Sequence, residues 1–273
     1  MTTLSDHINE LKAAEAFTLQ APVFDSLFGN DPIICYKRER VRAHILSVIK
    51  GKKLLEINCG SGEDALYFSG MGFTVHATDI SEGMLQVFRD KMLPGNKGRV
   101  TMELRSFTDL GNLENRGPYD AVYSNFGGLN CTRDPAAVLQ PLSSLVKAGG
   151  TVTLVVISPF CAWESLLLFK GKFRTAFRRF FAAHGRKAKV EGSAFRCWYH
   201  KPAALKKIMQ NDFEPLSFEG LCTLVPPSYM VGFAGKYPRL FAFLCSLENK
   251  WKSFRPWRSS GDYYIISFRK KLN

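Results

Sequence analysis

Short apolar runs and helix-like periodicity alternate along residues 53–160. Each run is long enough for one buried strand. The runs occupy residues 54–57, 73–78, 100–104, 119–124 and 151–157. The segments between them carry apolar residues at three- and four-residue intervals, as from Ser81 to about Met92, which predicts helices. Two further helices are predicted earlier, over residues 3–16 and 35–50. Strands that alternate with helices predict a doubly wound α/β domain.

The second part of the chain interrupts this alternation with apolar, basic segments. Residues 164–181 repeat Leu and Phe at helical intervals, which predicts an amphipathic basic helix. We expect a polar linker over residues 185–192 and a second helical excursion over residues 229–257. Two more strands are predicted at 213–224 and 263–268. The expected regions are an N-terminal helical lid (1–50), a core (51–160), a basic aromatic cap insertion (161–213), and the completion of the sheet with a second helical insertion (214–273).

Composition and charge add an asymmetry to this picture. The chain has 273 residues and is 46% hydrophobic, enough for a substantial core. Residues 1–160 hold 16 Lys and Arg against 17 Asp and Glu, whereas residues 161–273 hold 21 against 7. The predicted core is therefore nearly neutral, and the net charge of +13 lies in the cap and the C-terminal region.

The cysteines and the N-terminal sequence bear on the compartment. Seven cysteines are scattered along the chain without a C-x-x-C pair or a Cys/His cluster, so reduced thiols are expected and no metal site is predicted. The N-terminal sequence is polar and has no signal-peptide pattern. No apolar run approaches the ~20 residues that span a bilayer. We therefore expect a cytoplasmic protein.

The segment from Lys53 to Ser81 carries the main functional signal. Its first strand runs into Asn58-Cys59-Gly60-Ser61-Gly62, where two glycines permit a sharp turn and close approach of a ligand to the backbone. Asp79 ends the next strand about 20 residues later, where a carboxylate can accept hydrogen bonds from ribose hydroxyls. This order of strand, glycine turn, helix, strand and terminal acid predicts a nucleotide site.

Acidic residues around the turn narrow the class of ligand. Glu56 precedes the turn, and Glu63 and Asp64 follow it. Carboxylates at these places repel the phosphates of a dinucleotide. They are compatible with a ligand that has a ribose and a cationic amino-acid end. A nicotinamide oxidoreductase is therefore the disfavoured rival.

The motif Glu56-x-Asn58-x-Gly60-x-Gly62 resembles the E/D-x-G-x-G-x-G motif of class I S-adenosylmethionine-dependent methyltransferases of the bacterial small-molecule type. Asn58 replaces the first glycine, and Asn tolerates a left-handed backbone better than most residues. The resemblance implies an enzyme with S-adenosyl-L-methionine as its cofactor. It also implies a Rossmann-like, seven-stranded sheet whose last strand is antiparallel and inserted between the fifth and the sixth.

The resemblance also implies roles for individual residues. Glu56, Asn58, Cys59, Gly60 and Gly62 border the methionyl end and the ribose. Asp79, followed by Ile80, binds the ribose hydroxyls, Ser106 and Phe107 border the adenine, and Asn125 lies near the transferring end. Phe107 is otherwise an aromatic residue at the edge of the core. The candidates for a lid over the cofactor are Phe24, Phe28, Tyr36, Arg38 and Arg40, unless these helices only cover the sheet.

The methyl acceptor is less determined. The Asn-Phe-Gly-Gly sequence after the fourth strand differs from the Asn/Asp-Pro-Pro-aromatic motif of enzymes that methylate nucleobase amines. His200 and Glu164 are candidates for a general base by residue type and location in the cap, although a lone His is more often structural. We rank a small apolar or anionic metabolite with an O- or N-acceptor first, a lipid-like substrate at an anionic membrane surface second, and RNA third. A non-catalytic nucleotide-binding module is the alternative from another class, and the oligomeric state is left open.

Overall fold

Helices and strands alternate from the first strand onward in the computed structural model, which describes residues 4–171, 173–180, 182 and 184–272. The helices are α1 (Leu4–Phe28), α2 (Pro32–Val48), α3 (Glu63–Gly70), α4 (Glu82–Lys91), α5 (Pro135–Leu139), α6 (Leu142–Leu145), α7 (Ala162–Leu166), α8 (Phe173–Ala176), α9 (Pro202–Met209), α10 (Phe233–Lys236) and α11 (Pro238–Trp251). The strands are β1 (Lys53–Ile57), β2 (Thr74–Asp79), β3 (Val100–Leu104), β4 (Tyr119–Ser124), β5 (Val146–Ile157), β6 (Arg186–Val190), β7 (Ser193–Cys197), β8 (Phe213–Leu221) and β9 (Tyr263–Lys270).

Seven of these strands form one sheet in the order β3-β2-β1-β4-β5-β9-β8. Neighbouring strands from β3 to β5 are parallel, and β9 runs antiparallel to both β5 and β8. The predicted fold, with its last strand inserted antiparallel between the fifth and sixth strands of the sheet, is confirmed. Apolar side chains of β1 are buried, including Leu54, Leu55 and Ile57, as expected for a parallel strand covered on both faces.

The direction of strand order reverses between β1 and β4. In open parallel sheets, a crevice for ligands lies at such a point, outside the carboxyl ends of the strands. One apolar cluster joins the sheet to α2, α3 and α4 and includes Ile45, Phe68 and Phe88. Another joins the sheet to α5 and α6 and includes Leu139 and Leu142. The fold therefore leaves the turn after β1 and the loop after β4 at the edge of one crevice.

The cap differs from the sequence prediction in two places. The single helix expected over residues 164–181 is divided into α7, a short 3₁₀ turn and α8, because Gly171 adopts a left-handed backbone with φ of 67°. Phe181, at the end of that predicted helix, lies outside the described residues. The expected polar linker at 185–192 is wrong, since β6 pairs with β7 in a hairpin whose turn, Glu191-Gly192, has φ of 44° and 85°.

The ends of two other elements also differ from the prediction. α1 continues to Phe28 instead of ending near residue 16. β5 begins at Val146 instead of residue 151, so Gly149 and Gly150 lie inside it, and the helix before it ends at Leu145. Across the described residues, helices long and apolar enough to cross a membrane are absent.

Candidate functional site

One cavity opens at the carboxyl ends of β1, β2 and β4. The turn after β1, the end of β2, the loop after β4 and the inner side of α1 form its walls. It brings together most of the residues that the sequence assigns to a cofactor: Glu56, Asn58, Cys59, Gly60, Asp79, Ile80, Phe107 and Asn125. Residues scattered over 70 positions of sequence thus meet because parallel strands end at the same edge of the sheet.

The turn after β1 has a left-handed backbone at three positions. The φ angles are 53° at Asn58, 55° at Gly60 and 77° at Gly62, values that Gly and Asn tolerate best. A Cβ on Gly60 would meet no atom of the described residues within 4 Å, whereas a Cβ on Gly62 would stand 2.2 Å from the ring of Phe88. Gly60 thus leaves room for a ligand. Gly62 does not line the cavity and instead allows close packing against α4.

Asp79 presents a fixed carboxylate to the cavity. Its Oδ2 accepts the backbone N–H of Gly60 and its Oδ1 accepts that of Ser81, each at 2.8 Å. Burial raises the pKa of Asp79, and the backbone hydrogen bonds act against this shift. Each carboxylate oxygen can accept a further hydrogen bond. The side chain is therefore oriented to accept hydrogen bonds from hydroxyl groups of a ligand.

Glu56 is the second carboxylate at the cavity wall. It is 2% exposed, and its Oε2 has no hydrogen-bond partner in the described part of the chain. Burial, and then the nearby Asp64, raise the pKa of Glu56 well above its usual range, and the hydroxyl of Tyr123 acts against this shift. A buried polar atom without a partner is unusual in a native structure. A cationic group in the cavity would supply that partner and favour the ionised form.

The cavity is acidic although the whole protein is basic. Five acids and two arginines line it: Glu10, Glu56, Glu63, Asp64, Asp79, Arg38 and Arg105. Arg105 is already paired with Glu103 and Asp109, at 2.8 Å each. Arg38 lies 3.9 Å from Glu63 and is the cavity arginine with the weaker pairing. This balance attracts a cationic ligand and repels a pyrophosphate.

Asn125 is held at the cavity by its neighbours. Its Nδ2 donates to Oδ2 of Asp64 at 2.5 Å, and its Oδ1 accepts the backbone N–H of Phe126 at 2.9 Å. The adjoining loop also packs on the turn after β1, since a Cβ on Gly128 would stand 2.1 Å from Nδ2 of Asn58. The end of β4 and the glycine turn are thus locked together, and the Asn125 side chain is fixed between them.

Helix α1 lies over the cavity and is anchored by polar contacts. Oγ1 of Thr18 lies 2.8 Å from Oγ of Ser81, and Oγ of Ser61 donates to Oδ1 of Asp25 at 2.6 Å. Lys91 reaches Oδ2 of the same Asp25 at 2.8 Å. The contacts tie α1 to the glycine turn and to both ends of α4. They hold α1 over the cavity, in the position of a lid.

The candidates for that lid divide into two groups. Phe24 and Arg38 line the cavity, whereas Phe28 does not. Tyr36 and Arg40 also lie elsewhere, because their side chains are buried against Glu248 of α11. The sequence prediction that these two residues cover a cofactor is corrected by this contact.

The adenine side of the predicted site contains a residue that sequence reasoning missed. The hydroxyl of Ser106 donates to the carboxylate of Glu10 and lies 2.7 Å from Oγ1 of Thr108. Ser106 does not line the cavity, whereas Phe107 and Glu10 do. Ala13 and Ala14, in the next turn of α1, also line the cavity, and these small side chains were the available sequence signal that α1 faces it.

Neither predicted general base lies at the cavity. Nε2 of His200 is 3.1 Å from the carbonyl oxygens of Leu129 and Thr132, and burial lowers the pKa of His200. Glu164 is 1% exposed and is ion-paired with Arg178 and Arg179. Their hydrogen bonds and ion pairs give both residues structural roles, which corrects the sequence prediction of a catalytic base.

The surroundings of Glu164 also explain a cluster of possible metal ligands. Cys161, Glu164 and Asp262 place ligand atoms within 4.8 Å of one another. Nη2 of Arg179 lies 2.6 Å from a carboxylate oxygen of each acid. Arg179 and Arg178, which also pairs with Glu164, balance the two carboxylates, so the cluster is an ion-pair network that joins α7 to the residue before β9.

Comparisons with known proteins agree with this geometry. Residues 54–150 match a family described as a methyltransferase domain. Over 104 residues the chain is 36% identical to the ubiquinone biosynthesis O-methyltransferase of Thiobacillus denitrificans, which covers 38% of this chain and 44% of that enzyme. The chain thus matches less than half the length of this curated relative.

Solved structures show the same fold over nearly the whole chain. The CcbJ methyltransferase from Streptomyces caelestis has a TM-score of 0.61 at 16% identity, covering 93% of this chain and 96% of that one. The 1,6-didemethyltoxoflavin-N1-methyltransferase of Burkholderia thailandensis, with bound 1,6-didemethyltoxoflavin and S-adenosylhomocysteine, has a TM-score of 0.57 at 14% identity, covering 100% and 93%.

Proposed function

We propose that the protein is a class I S-adenosylmethionine-dependent methyltransferase that transfers a methyl group from S-adenosylmethionine to a small-molecule acceptor. Residues 54–150 match a methyltransferase domain, and solved methyltransferases share the fold. One observation carries the proposal. Two carboxylates face one cavity from the ends of adjacent strands, and the open backbone of Gly60 lies between them. Asp79 suits the ribose hydroxyls, and the unpaired Oε2 of Glu56 suits the methionyl ammonium.

Other cavity residues complete the binding of the methyl donor. Phe107 borders the adenine, and the guanidinium of Arg38 meets the methionyl carboxylate. Asn125 lies beside the transferring end, while Cys59 and Ile80 contribute the walls next to Gly60 and Asp79. An acidic cavity of this kind is a poor site for the phosphates of NADH, the ligand of the rival oxidoreductase class.

The chain's own residues then act by alignment and exclusion of water. When bound, S-adenosylmethionine supplies a methyl group that is already activated by a sulfonium. Helix α1 covers the cavity, and Phe17, Phe24 and Phe126 give it apolar walls. Holding the acceptor in line with the methyl group in such a site supplies most of the rate enhancement that this reaction requires. His200 and Glu164 take no part in it.

For the acceptor we favour a small apolar or anionic molecule that is methylated on oxygen or nitrogen. The relative from Thiobacillus denitrificans is an O-methyltransferase of ubiquinone biosynthesis, and the solved relative from Burkholderia thailandensis is an N1-methyltransferase. The aromatic cavity walls support a planar acceptor. A lipid-like substrate ranks second and RNA third. We place the protein in the cytoplasm, which the seven free cysteines support.

Transfer of labelled methyl groups tests this proposal. The protein is incubated with S-adenosylmethionine labelled in the methyl group and with metabolite, lipid and RNA fractions of a cell extract. We expect label in the metabolite or lipid fraction, and about tenfold less or lower when Asp79→Ala replaces the wild-type protein at a limiting concentration of the donor. Label confined to a nuclease-sensitive RNA fraction would overturn the ranking. Binding of the donor without label in any fraction would indicate a non-catalytic binding module.

A further inference from the structure

Helix α11 exposes an apolar stripe to solvent. Leu240, Phe243, Trp251 and, just past the helix end, Phe254 recur at helical intervals and are 45%, 59%, 40% and 60% exposed. A neighbouring side of the helix packs on α2, where the rings of Phe241 and Tyr36 lie 6.3 Å apart. A helix that buries one apolar side normally presents polar residues on the other. The second stripe is therefore a candidate docking surface.

The segment between β5 and β6 also exposes apolar side chains. Phe169, Phe173 and Phe180 are 88%, 62% and 57% exposed. Arg178 of this segment lies 5.8 Å from the ring centroid of Tyr229, and Tyr229 leads through Val231 to α10 and α11. The two cap insertions thus meet at Tyr229. We call the exposed apolar residues of 166–180 and 229–254 the cap face.

Unpaired cations border the cap face. Arg174, Lys236, Arg239, Lys250 and Arg255 are exposed, and none of them forms an ion pair with a described residue. Residues 161–185 and 225–260 together contain eleven Lys and Arg and only two acids, Glu164 and Glu248. Both acids are 1% exposed. The surface at the cap face is therefore cationic.

The two buried acids hold the cap in place. Glu248 accepts the backbone N–H groups of Cys222, Thr223, Leu224 and Val225 at 2.7–2.9 Å. Glu164 is paired with Arg178 and Arg179. These networks fix the buried sides of both insertions. The apolar residues of the cap face are therefore held on the outside of the protein.

We propose that the cap face docks on the surface of an anionic lipid bilayer. Apolar side chains enter the interface and the flanking Lys and Arg meet lipid phosphates, the arrangement by which amphipathic helices lie on membranes. This inference deepens the proposed function. It rests on that function for one consequence only, which is that the acceptor is an amphiphilic molecule taken from the membrane surface.

Other occupants fit the cap face less well. In a symmetric dimer through this face, the same cations of both copies would oppose one another. A nucleic acid would use the cations and could stack on Phe and Trp, but Leu240 and the 86% exposed Val231 would gain nothing from it. Anionic lipid satisfies the aliphatic, aromatic and cationic side chains together.

Vesicle sedimentation tests the proposal with matched variants. The full chain is mixed with vesicles of phosphatidylcholine alone or with about 30 mol% phosphatidylglycerol, at low and high salt. Leu240→Ser and Lys250→Glu alter the cap face. Leu93→Ser and Lys97→Glu are their controls, exposed residues between α4 and β3, at the other edge of the sheet from β8.

We expect binding to the phosphatidylglycerol vesicles only, weakened by salt. Leu240→Ser and Lys250→Glu each lower the partition coefficient about fivefold or more, while Leu93→Ser and Lys97→Glu leave it unchanged. Equal losses in all four variants, no binding, or a concentration-dependent dimer on gel filtration that Leu240→Ser abolishes would overturn the proposal.

Calorimetric titration with S-adenosylhomocysteine is measured on the same variants, so that a failure of the docking proposal is distinguished from a failure of the proposed function. Normal donor binding without vesicle binding would refute docking alone. Vesicle binding without donor binding would support docking and refute the methyltransferase proposal.

Discussion

Replacement of Glu56 by Gln separates the function of this carboxylate from its effect on the fold. The Glu56 side chain is 2% exposed, and its Oε2 is without a hydrogen-bond partner among the described residues. Gln keeps the shape but removes the charge. We expect the variant to fold and to bind S-adenosylhomocysteine, which shares the methionyl ammonium, more weakly.

The size of the loss follows from the contact that Glu56 is proposed to make. A hydrogen bond to a charged group contributes about 1.5–3 kcal/mol, which corresponds to a Kd about 10- to 150-fold higher. Burial raises the pKa of Glu56, whereas an ammonium beside it favours the ionised form, so binding shifts Glu56 toward release of a proton. Burial also raises the pKa of Asp79, and hydroxyl groups that donate to its carboxylate shift it in the same direction.

The Glu56→Gln substitution should weaken ligand binding without lowering the stability of the fold. The pKa of Glu56 is raised in the folded state, so this group contributes most to stability below the pKa of the unfolded chain, and the contribution is lost as pH rises through the folded pKa. Gln does not ionise. The Glu56→Gln variant should therefore be at least as stable as wild type at pH 7 and should lose less stability between pH 5 and pH 8.

Calorimetry in buffers of different ionisation enthalpy measures both the Kd and the number of protons released, and urea unfolding at several pH values measures stability. Glu82→Gln, an exposed residue of α4, is the control and should match wild type. Unchanged Kd and unchanged proton release in Glu56→Gln would refute the assignment of Glu56 to the ammonium.

Three further substitutions test the site and the packing that supports it. Gly62→Ala should lower the free energy of unfolding by at least about 2 kcal/mol in urea titrations, since φ is 77° and the new Cβ would stand 2.2 Å from Phe88. Glu248→Ala should lower it by about 3–5 kcal/mol, because four buried N–H groups and Arg40 lose their acceptor. His200→Ala should lower it by about 1–3 kcal/mol through its lost carbonyl contacts but leave the pH profile of methyl transfer unchanged.

Matched controls accompany these variants. Gly70→Ala, at the end of α3 where a Cβ would meet no described atom within 4 Å, should leave stability nearly unchanged, and an equal loss there would contradict the packing argument for Gly62. Glu214→Ala, an exposed residue of β8, serves the same purpose for Glu248. A shift of the turnover profile in His200→Ala would restore His200 as a base.

Local sequence signals were sufficient for the central part of the fold. The glycine turn, the apolar strands around it and Asp79 at the end of β2 depend on short-range chemistry, and each could be placed before any contact was known. The antiparallel last strand came from the family resemblance. Periodicity also found the apolar side of the first cap insertion, but Gly171 breaks the predicted helix, and much of that apolar side faces solvent.

Contacts between distant parts of the chain lay beyond these signals. The bond between Ser106 and Glu10 joins a loop of the core to α1, so sequence reasoning placed Ser106 at the cofactor and overlooked Glu10. The sequence predicted Arg40 as a lid residue, yet its side chain is buried in an ion pair with Glu248. The β6–β7 hairpin was missed because its alternation of Lys with Ala and Val reads as a polar linker until a packing partner is known.

Calorimetric titration with S-adenosylhomocysteine and, separately, with NADH tests the central claim most directly. We predict one-to-one binding of S-adenosylhomocysteine to the wild-type protein, no heat from NADH, and binding about 1.5–3 kcal/mol weaker in Asp79→Ala, which removes the acceptor of the ribose hydroxyls. Binding of NADH with no detectable binding of S-adenosylhomocysteine or S-adenosylmethionine would contradict the assignment of this cavity to a methyl donor.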